Sequence, residues 1–318
     1  MSVLFDESAR GVFAIMATPF GDAGEIDWNS ADRLVDFYLE CGVHGLTVLG
    51  MMGEAPNLSA EESEMFAARC IKRIGGRVPV IVGVSNPGLK LLGEFSRKVM
   101  GDGAAGVMLT PIQGLQTEDQ IYAYFQNVAR ELQQIPVVVQ NYPQTVQVHM
   151  SVAVLNLLFR DFPTFKMLKH EEAPSLRKLS RLRATQAERG RRISIVGGNG
   201  AIQMVQELRR GADGIMTGFA FPEMLVGVYE RFVAGDEEAA EDLYDAYLPV
   251  VRHEQQFGIG LALRKETLRR RGILASAAVR QPGPSLDAID HQELTHLLGR
   301  LDLALGRLGI QPVRYPAR

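Results

Sequence analysis

The chain has 318 residues, of which 46% are hydrophobic, and 34 basic against 37 acidic side chains give a formal net charge of -3. The apolar fraction and near-neutral charge exclude a disordered chain, and the lack of a basic excess argues against a dedicated nucleic-acid binder. The length could hold two average domains, but a single α/β barrel commonly reaches it.

Neither the cysteines nor the start of the chain indicates secretion. Cys41 and Cys70 are too few for a disulfide framework and fall in helix-like segments, where we expect buried thiols. The first apolar run, residues 11–20, is too short to span a bilayer and follows several charged residues. We therefore expect a soluble cytoplasmic protein with no membrane partner.

Short β-rich runs recur along the chain at intervals of roughly 20 to 35 residues, the length of one strand, one helix and two short loops. The runs are almost continuously apolar, which is typical of parallel strands covered on both faces. The predicted strands are residues 12–18, 45–50, 78–84, 105–110, 136–141, 164–169, 193–198 and 213–218.

Amphipathic segments separate these strands, and the segment 59–74 opens with a possible capping box formed by Ser59 and Glu62. Strands alternating with helices favour the α/β class and, within it, a closed parallel (β/α)8 TIM barrel. An open doubly wound sheet is the alternative. Such a sheet normally carries a glycine fingerprint after its first strand, whereas ATPFGDAG follows the first strand here.

The pattern changes after Gly218, and from about residue 234 the sequence is helical and rich in arginine. We expect a catalytic barrel over residues 1–233 and a helical region, residues 234–318, packed on it. The last helix carries leucines on one face, which predicts packing against the barrel or another subunit. These are Leu294, Leu297, Leu298, Leu301, Leu305 and Leu308.

Reactive groups of barrel enzymes lie at the carboxyl ends of the strands, and Lys169 ends the sixth. Strand alternation puts Phe165, Met167 and Lys169 on one face and Lys166 and Leu168 on the other. If the first face points inward, Lys169 emerges among apolar neighbours, where desolvation favours an uncharged, nucleophilic amine. The alternatives are a lysine that simply reaches solvent at a strand end, or Lys166 as the nucleophile.

Other candidate sites have weaker signals. None of the six histidines has the spacing of metal ligands, so we expect no metal. The GGNG segment, residues 197–200, precedes a predicted helix over residues 201–210 and could hold a phosphate or carboxylate on its backbone N–H groups, or be a plain turn. The basic run 177–192 is interpreted as a solvated helix face rather than a nucleic-acid site.

Taken together, the strand ends resemble the dihydrodipicolinate synthase/N-acetylneuraminate lyase family of class I aldolases and dehydratases. The resemblance covers most of the chain and includes the GxxGE loop at residues 50–54, the lysine at position 169 and the last strand, residues 214–218. It implies a (β/α)8 barrel, a covalent imine on Lys169 with no other cofactor, and a small 2-oxo acid as the binding partner. Family members commonly form homotetramers built from dimers, so a homo-oligomer is expected.

The departures from the family pattern bear on function. Met51 and Met52 stand where the loop usually carries hydroxyl residues, and Gln140 replaces the tyrosine that relays protons. In the synthases an arginine shortly after the fifth strand binds the substrate carboxylate, and the matching place here is about Thr145. Because a side-chain amide is not a Brønsted acid near neutral pH, dihydrodipicolinate synthase activity is not expected.

One branch of the family, the L-2-keto-3-deoxyarabonate dehydratase-like proteins, fits these departures better. The resemblance to it rests on VVVQNYP around Gln140, the Lys169-x-Glu171 pair, MTGFAFPE at residues 216–223 and LPVVRHE at residues 248–254. It implies attack of Lys169 on the C2 carbonyl, followed by loss of a C4 hydroxyl. Because the GxxGE loop is retained, the same sugar acid is not implied.

The resemblance also implies roles for other strand-end residues. Glu171 would assist proton transfer or hold Lys169 in position, and Gln140 would orient water or a substrate hydroxyl. Tyr142 is a candidate for the missing phenol. The substrate-binding set would comprise Met51 and Met52 through their backbone N–H groups, Gly53, Asn199, Met216 through its carbonyl, and Thr217.

Three alternatives to a dehydratase stay open. The first is a pyruvate-dependent aldolase or synthase that uses the same imine. The second is a barrel that binds a phosphorylated ligand through the GGNG segment and Thr217. The third is a non-catalytic 2-oxo acid-binding relative that has lost the proton relay.

Overall fold

The computed structural model describes residues 4–311 and contains a closed barrel of parallel strands in sequence order, in which the eighth strand pairs with the first. The (β/α)8 prediction is therefore confirmed. The strands are β1 (Gly11–Ile15), β2 (Gly45–Val48), β3 (Val80–Gly83), β4 (Gly106–Leu109), β5 (Val137–Asn141), β6 (Phe165–His170), β7 (Ser194–Gly197) and β8 (Gly214–Thr217).

Helices surround the barrel, and the sequence sets several of their ends. The capping box of Ser59 and Glu62 is present, and Gly75 ends the same helix in the left-handed conformation. The helices are α1 (Trp28–Glu40), α2 (Ala60–Ile74), α3 (Leu89–Asp102), α4 (Glu118–Leu132), α5 (Pro143–Val146), α6 (Val152–Asp161), α7 (Ser175–Arg189), α8 (Met204–Arg209), α9 (Pro222–Val233), α10 (Glu237–Glu254), α11 (Gly260–Arg270) and α12 (Ala288–Arg307).

Side chains that alternate along each strand pack into two separate apolar clusters, one inside the barrel and one between the barrel and the helices. Phe5 belongs to the inner cluster and lies against Gly106, the first residue of β4. It therefore closes the amino end of the barrel, so that the carboxyl ends of the strands form the mouth. The strand residues of the inner cluster are Phe13, Ile15, Ile81, Met108, Val138, Met167, Val196 and Met216.

The predicted alternation of β6 is wrong at its start. Its pairing with β5 shifts register, because Val137 pairs with Phe165 while Val138 pairs with Met167. Lys166 is thus an extra residue in the ladder, a bulge that reverses the sense of alternation. Phe165 consequently packs in the outer cluster, whereas Met167 lies in the inner one.

The carboxyl-terminal helices pack on the barrel and on one another, with α12 against α10. Of the predicted leucine face, Leu294, Leu298, Leu301 and Leu305 are buried, whereas Leu308 follows the helix and is 39% exposed. The first three residues of the predicted region 1–233 and the last seven of the predicted region 234–318, residues 1–3 and 312–318, lie outside the described residues. No helix within residues 4–311 combines the length and the hydropathy that crossing a membrane requires.

The basic run at residues 177–192 is not wholly a solvated face, which corrects the sequence interpretation. Arg183 and Arg192 both pair with the buried carboxylate of Asp213, and Arg191 pairs with Glu7 at 3.0 Å. Arg183 and Arg192 therefore join α7 and the segment before β7 to the residue that precedes β8, and Arg191 joins the same segment to the residues before β1.

Candidate active site

Lys169 lies inside the barrel mouth and is only 3% exposed. It follows Met167 by two residues and therefore faces the barrel axis. Besides the apolar side chains of the inner cluster, Lys169 has one charged neighbour, because its Nζ donates to Oε2 of the buried Glu171 at 2.8 Å. Lys166 is no longer a competitor: at the other end of the strand it pairs with Glu7 at 3.0 Å.

Glu171 connects the predicted catalytic side chains. Its Oε2 also accepts a hydrogen bond from Gln140 Nε2 at 2.7 Å, so Lys169 and Gln140 share one carboxylate oxygen. Its Oε1 accepts from the backbone N–H of Asn199 at 3.2 Å. The backbone carbonyl of Glu171 is fixed as well, by Asn199 Nδ2 at 2.8 Å and Gln144 Nε2 at 3.0 Å. Gln144 is a contact that the sequence analysis missed.

Two consecutive glycines, Gly197 and Gly198, leave space for the Glu171 carboxylate at the end of β7. Along β7, Val196 faces inward and Gly197 outward, so Gly198 faces the mouth. A β-carbon at Gly198 would come within 2.5 Å of Glu171 Oε1. Only glycine therefore permits the approach of Glu171 to the end of β7.

The GxxGE loop forms a one-turn 3-10 helix, Met51–Gly53, at the end of β2. Met51 and Met52 begin that turn, so their N–H groups have no partner inside it. The Met52 side chain packs against the inner cluster. Thr18 Oγ1 donates to the carbonyl of Gly53 at 2.6 Å and fixes the loop to the end of β1.

Two of the predicted binding residues lie on opposite faces of β8. The Met216 side chain is buried in the inner cluster, next to the barrel axis. Thr217 follows it directly, so its side chain points toward the helical layer. The Thr217 hydroxyl is therefore directed away from the barrel axis.

Neighbouring ionisable groups are held in their neutral forms. Burial, followed by the charge of Glu171, raises the pKa of Tyr142, so its phenol stays protonated. Burial lowers the pKa of His170 to about 4, and its Nε2 lies 3.0 Å from the carbonyl of Ser175 on the outer face of β6. His170 is thus neutral at pH 7 and directed away from Lys169.

The GGNG segment does not begin a long helix. A single 3-10 turn, Asn199–Ala201, follows β7, and α8 starts only at Met204, which corrects the predicted helix over residues 201–210. The amide of Asn199 already donates to Glu171, and Gln255 occupies the space beside Gly200. The segment thus binds a carboxylate of the protein itself, which disfavours the phosphate alternative.

The last residue of the GxxGE loop anchors the carboxyl-terminal region. Glu54 pairs with the fully buried ammonium of Lys265, whose Nζ lies 4.6 Å from the centroid of the Phe20 ring. Glu54 Oε2 also accepts from the backbone N–H of Arg280 at 2.9 Å, and the Arg280 guanidinium binds Glu62 in a bidentate contact at 2.7 Å. Residues far apart in sequence therefore hold the loop in one position.

Replacing Lys265 with alanine should lower the free energy of unfolding by about 3–5 kcal/mol, because it leaves the Glu54 carboxylate buried without its partner. Urea denaturation of the purified variant measures this change. Lys98→Ala is the matched control, since Lys98 pairs with Glu64 at 3.5 Å on the surface and such pairs contribute little. Equal midpoints for the two variants would contradict the anchoring role of Lys265.

A closed (β/α)8 barrel that carries a buried lysine near the carboxyl end of its sixth strand has the architecture of the class I aldolase type. Over residues 8–301 the chain matches the Dihydrodipicolinate synthetase family, and it belongs to that family of class I aldolases and lyases. The resemblance predicted from the strand ends is confirmed.

Two curated relatives differ in the reaction that they are named for. L-2-keto-3-deoxyarabonate dehydratase of Azospirillum brasilense is 31% identical over 300 residues, covering 92% of this chain and 94% of that protein. 4-hydroxy-tetrahydrodipicolinate synthase of Sorangium cellulosum is 30% identical over 297 residues, covering 92% and 96%. Among solved structures, dihydrodipicolinate synthase from Rhodopseudomonas palustris matches with a TM-score of 0.92 and 45% identity, covering 94% of this chain and all of that one.

Proposed function

We propose that the protein dehydrates a 2-keto-3-deoxy sugar acid through an imine formed on Lys169. The observation that carries the proposal is the contact of 2.8 Å between Lys169 Nζ and the buried carboxylate of Glu171. This carboxylate stands beside Gln140, the position at which the family's proton-relaying tyrosine is missing. It supplies the group that can accept and return protons where an amide cannot.

The first half of the reaction makes the imine. Lys169 passes a proton to Glu171 across their contact, and the neutral amine attacks the C2 carbonyl of the substrate. The proton on Glu171 then leaves with the hydroxyl of the addition product as water. The protonated imine withdraws electrons from C3 and makes the C3 proton acidic.

The second half breaks the bond between C4 and its hydroxyl group. The Glu171 carboxylate removes the C3 proton, which gives an enamine, and the enamine electrons expel the C4 hydroxyl. Glu171 returns its proton to that leaving group, so that water departs and the carboxylate is restored. Hydrolysis of the imine then releases the dehydrated oxo acid and Lys169, and no cofactor is consumed.

The remaining residues bind and orient the substrate in this proposal. The free N–H groups at the start of the 3-10 turn, those of Met51 and Met52, suit the substrate carboxylate because they need no side-chain hydroxyl. Gln140 and Asn199 orient Glu171 and a substrate hydroxyl. No arginine lies near Thr145, the place of the carboxylate-binding arginine of the synthases, which disfavours the synthase reaction. The 31% identity with a dehydratase over 92% of the chain also supports dehydration.

The test is a panel of 2-keto-3-deoxy sugar acids with product identification and with borohydride trapping in parallel. We expect one dehydrated oxo acid as the product and a reduced substrate adduct on the enzyme. Formation of pyruvate and an aldehyde would favour the aldolase alternative instead. Tight binding of 2-oxo acids without any turnover would favour the non-catalytic alternative.

A further inference from the structure

We infer that Glu207 is a positioning residue that acts on Glu171 from behind the Gly197–Gly198 backbone, and that it must be uncharged for turnover. The inference rests on the proposed function, because it takes Glu171 to be the group that carries protons. Glu207 is a buried residue of α8, in the helical layer outside the barrel.

Because Gly197 and Gly198 have no side chains, one carboxyl group packs closely against each of them, Glu207 against Gly197 and Glu171 against Gly198. A β-carbon on Gly197 would come within 1.9 Å of Glu207 Oε2, and one on Gly198 within 2.5 Å of Glu171 Oε1. Since successive residues of a strand face opposite sides, Glu207 approaches from the helical layer and Glu171 from the mouth. The backbone of Gly197 and Gly198 separates the two carboxyl groups.

The setting of Glu207 suits a neutral acid and not a carboxylate. The residue is 3% exposed, and within residues 4–311 its Oε2 has no hydrogen-bond partner. A buried carboxylate without a cation or donors is strongly disfavoured. Burial, with the charge of Glu171 as the second cause, raises the pKa of Glu207 to about 8.

Among the groups around Glu207, the carboxylate of Glu171 is the one whose charge shifts the pKa of Glu207. Tyr244 of α10 faces it, but its hydroxyl donates to the carbonyl of Ala201 at 2.9 Å and its own raised pKa keeps it neutral. Arg183 of α7 is directed to Asp213. No described side chain of α7, α9 or α10 shifts the pKa of Glu207 through its charge.

Loss of the proton from Glu207 therefore changes Glu171. A negative charge behind the Gly197–Gly198 backbone raises the affinity of Glu171 for a proton. After it has taken the C3 proton, Glu171 then gives that proton less readily to the leaving C4 hydroxyl, because its release would leave two negative charges across the same backbone. Turnover therefore falls as the pH rises past about 8. The neutral form of Glu207 lets Glu171 return to its carboxylate form at the end of each turnover.

The experiment compares kcat of the full-length enzyme between pH 6 and 10 for the wild type, Glu207→Gln and Glu207→Asp. We expect wild-type kcat to fall about tenfold per pH unit on the alkaline side. Glutamine has the shape of the protonated acid and cannot ionise, so this decline should move up by at least one pH unit. Aspartate still ionises and should retain it. Glu188→Gln, an exposed carboxyl of α7, is the matched control and should follow the wild type.

The outcomes separate this inference from the proposed function. If the Glu207→Gln profile superimposes on that of the wild type, or if wild-type kcat stays level through pH 9, the inference is overturned while the imine mechanism stands. If the wild type forms neither trapped adduct nor product at any pH, both are overturned. A merely structural role of Glu207 would lower the melting temperature of both variants without moving the decline.

Discussion

Lys169→Ala is expected to abolish turnover, with a loss of at least about 10⁴-fold, and to eliminate the adduct that borohydride traps with pyruvate. Without the amine, no covalent bond to C2 can form and no electron sink exists for removal of the C3 proton. The change is measured by mass spectrometry of the digested protein after reduction, together with steady-state product formation. In the wild type, the mass increase should map to the peptide that contains Lys169.

Lys166→Ala is the matched control for this experiment, because it removes an amine from the same strand. Lys166 pairs with Glu7 at the amino end of the barrel, so its loss should leave both trapping and turnover intact. Labelling of Lys166, or of any lysine other than Lys169, would refute the assignment. Full turnover by Lys169→Ala would refute it equally.

The alternation of elements could be predicted from the sequence because each strand is covered on both faces and therefore reads as an apolar run. The inward direction of Lys169 was also predictable from its distance of two residues from Met167. The bulge at Lys166 was not, because a bulge depends on the pairing of β6 with Val137 and Val138 on the neighbouring strand. The sequence of β6 alone does not determine how it pairs with β5.

The sequence could predict which residues lie at the candidate site, but not which of them contact one another. Parallel strands bring Gln140, Lys169 and Asn199 to one mouth, but the direction of Glu171 beyond the end of β6 depends on tertiary packing. Glu207 was missed because a glutamate on a helix usually faces water. Its spacing held a signal: Met204 and Leu208 are buried, so Glu207 falls on the apolar face of α8.

Glu171→Gln should lower kcat by roughly 10²- to 10⁴-fold, the usual contribution of a positioned acid–base group. Glutamine can still accept the hydrogen bond from Gln140, so the site keeps its shape while it loses the group that carries protons. Borohydride should still trap Lys169, but only after longer incubation, since the amine can then lose its proton to water alone. The decisive measurement is single-turnover kinetics, in which imine formation and product release are followed separately.

The neighbouring residue supplies the control for this last experiment. Glu172 carries the same charge one position along the chain, but it pairs with Lys178 and accepts from Asn141 Nδ2 at 3.0 Å, on the outer side of the strand ends. Glu172→Gln should therefore retain turnover within a few fold, even if its melting temperature falls. A wild-type kcat for Glu171→Gln would mean that the carboxylate holds Lys169 in place and moves no proton. Water or Tyr142 would then have to serve as the acid and base in its stead.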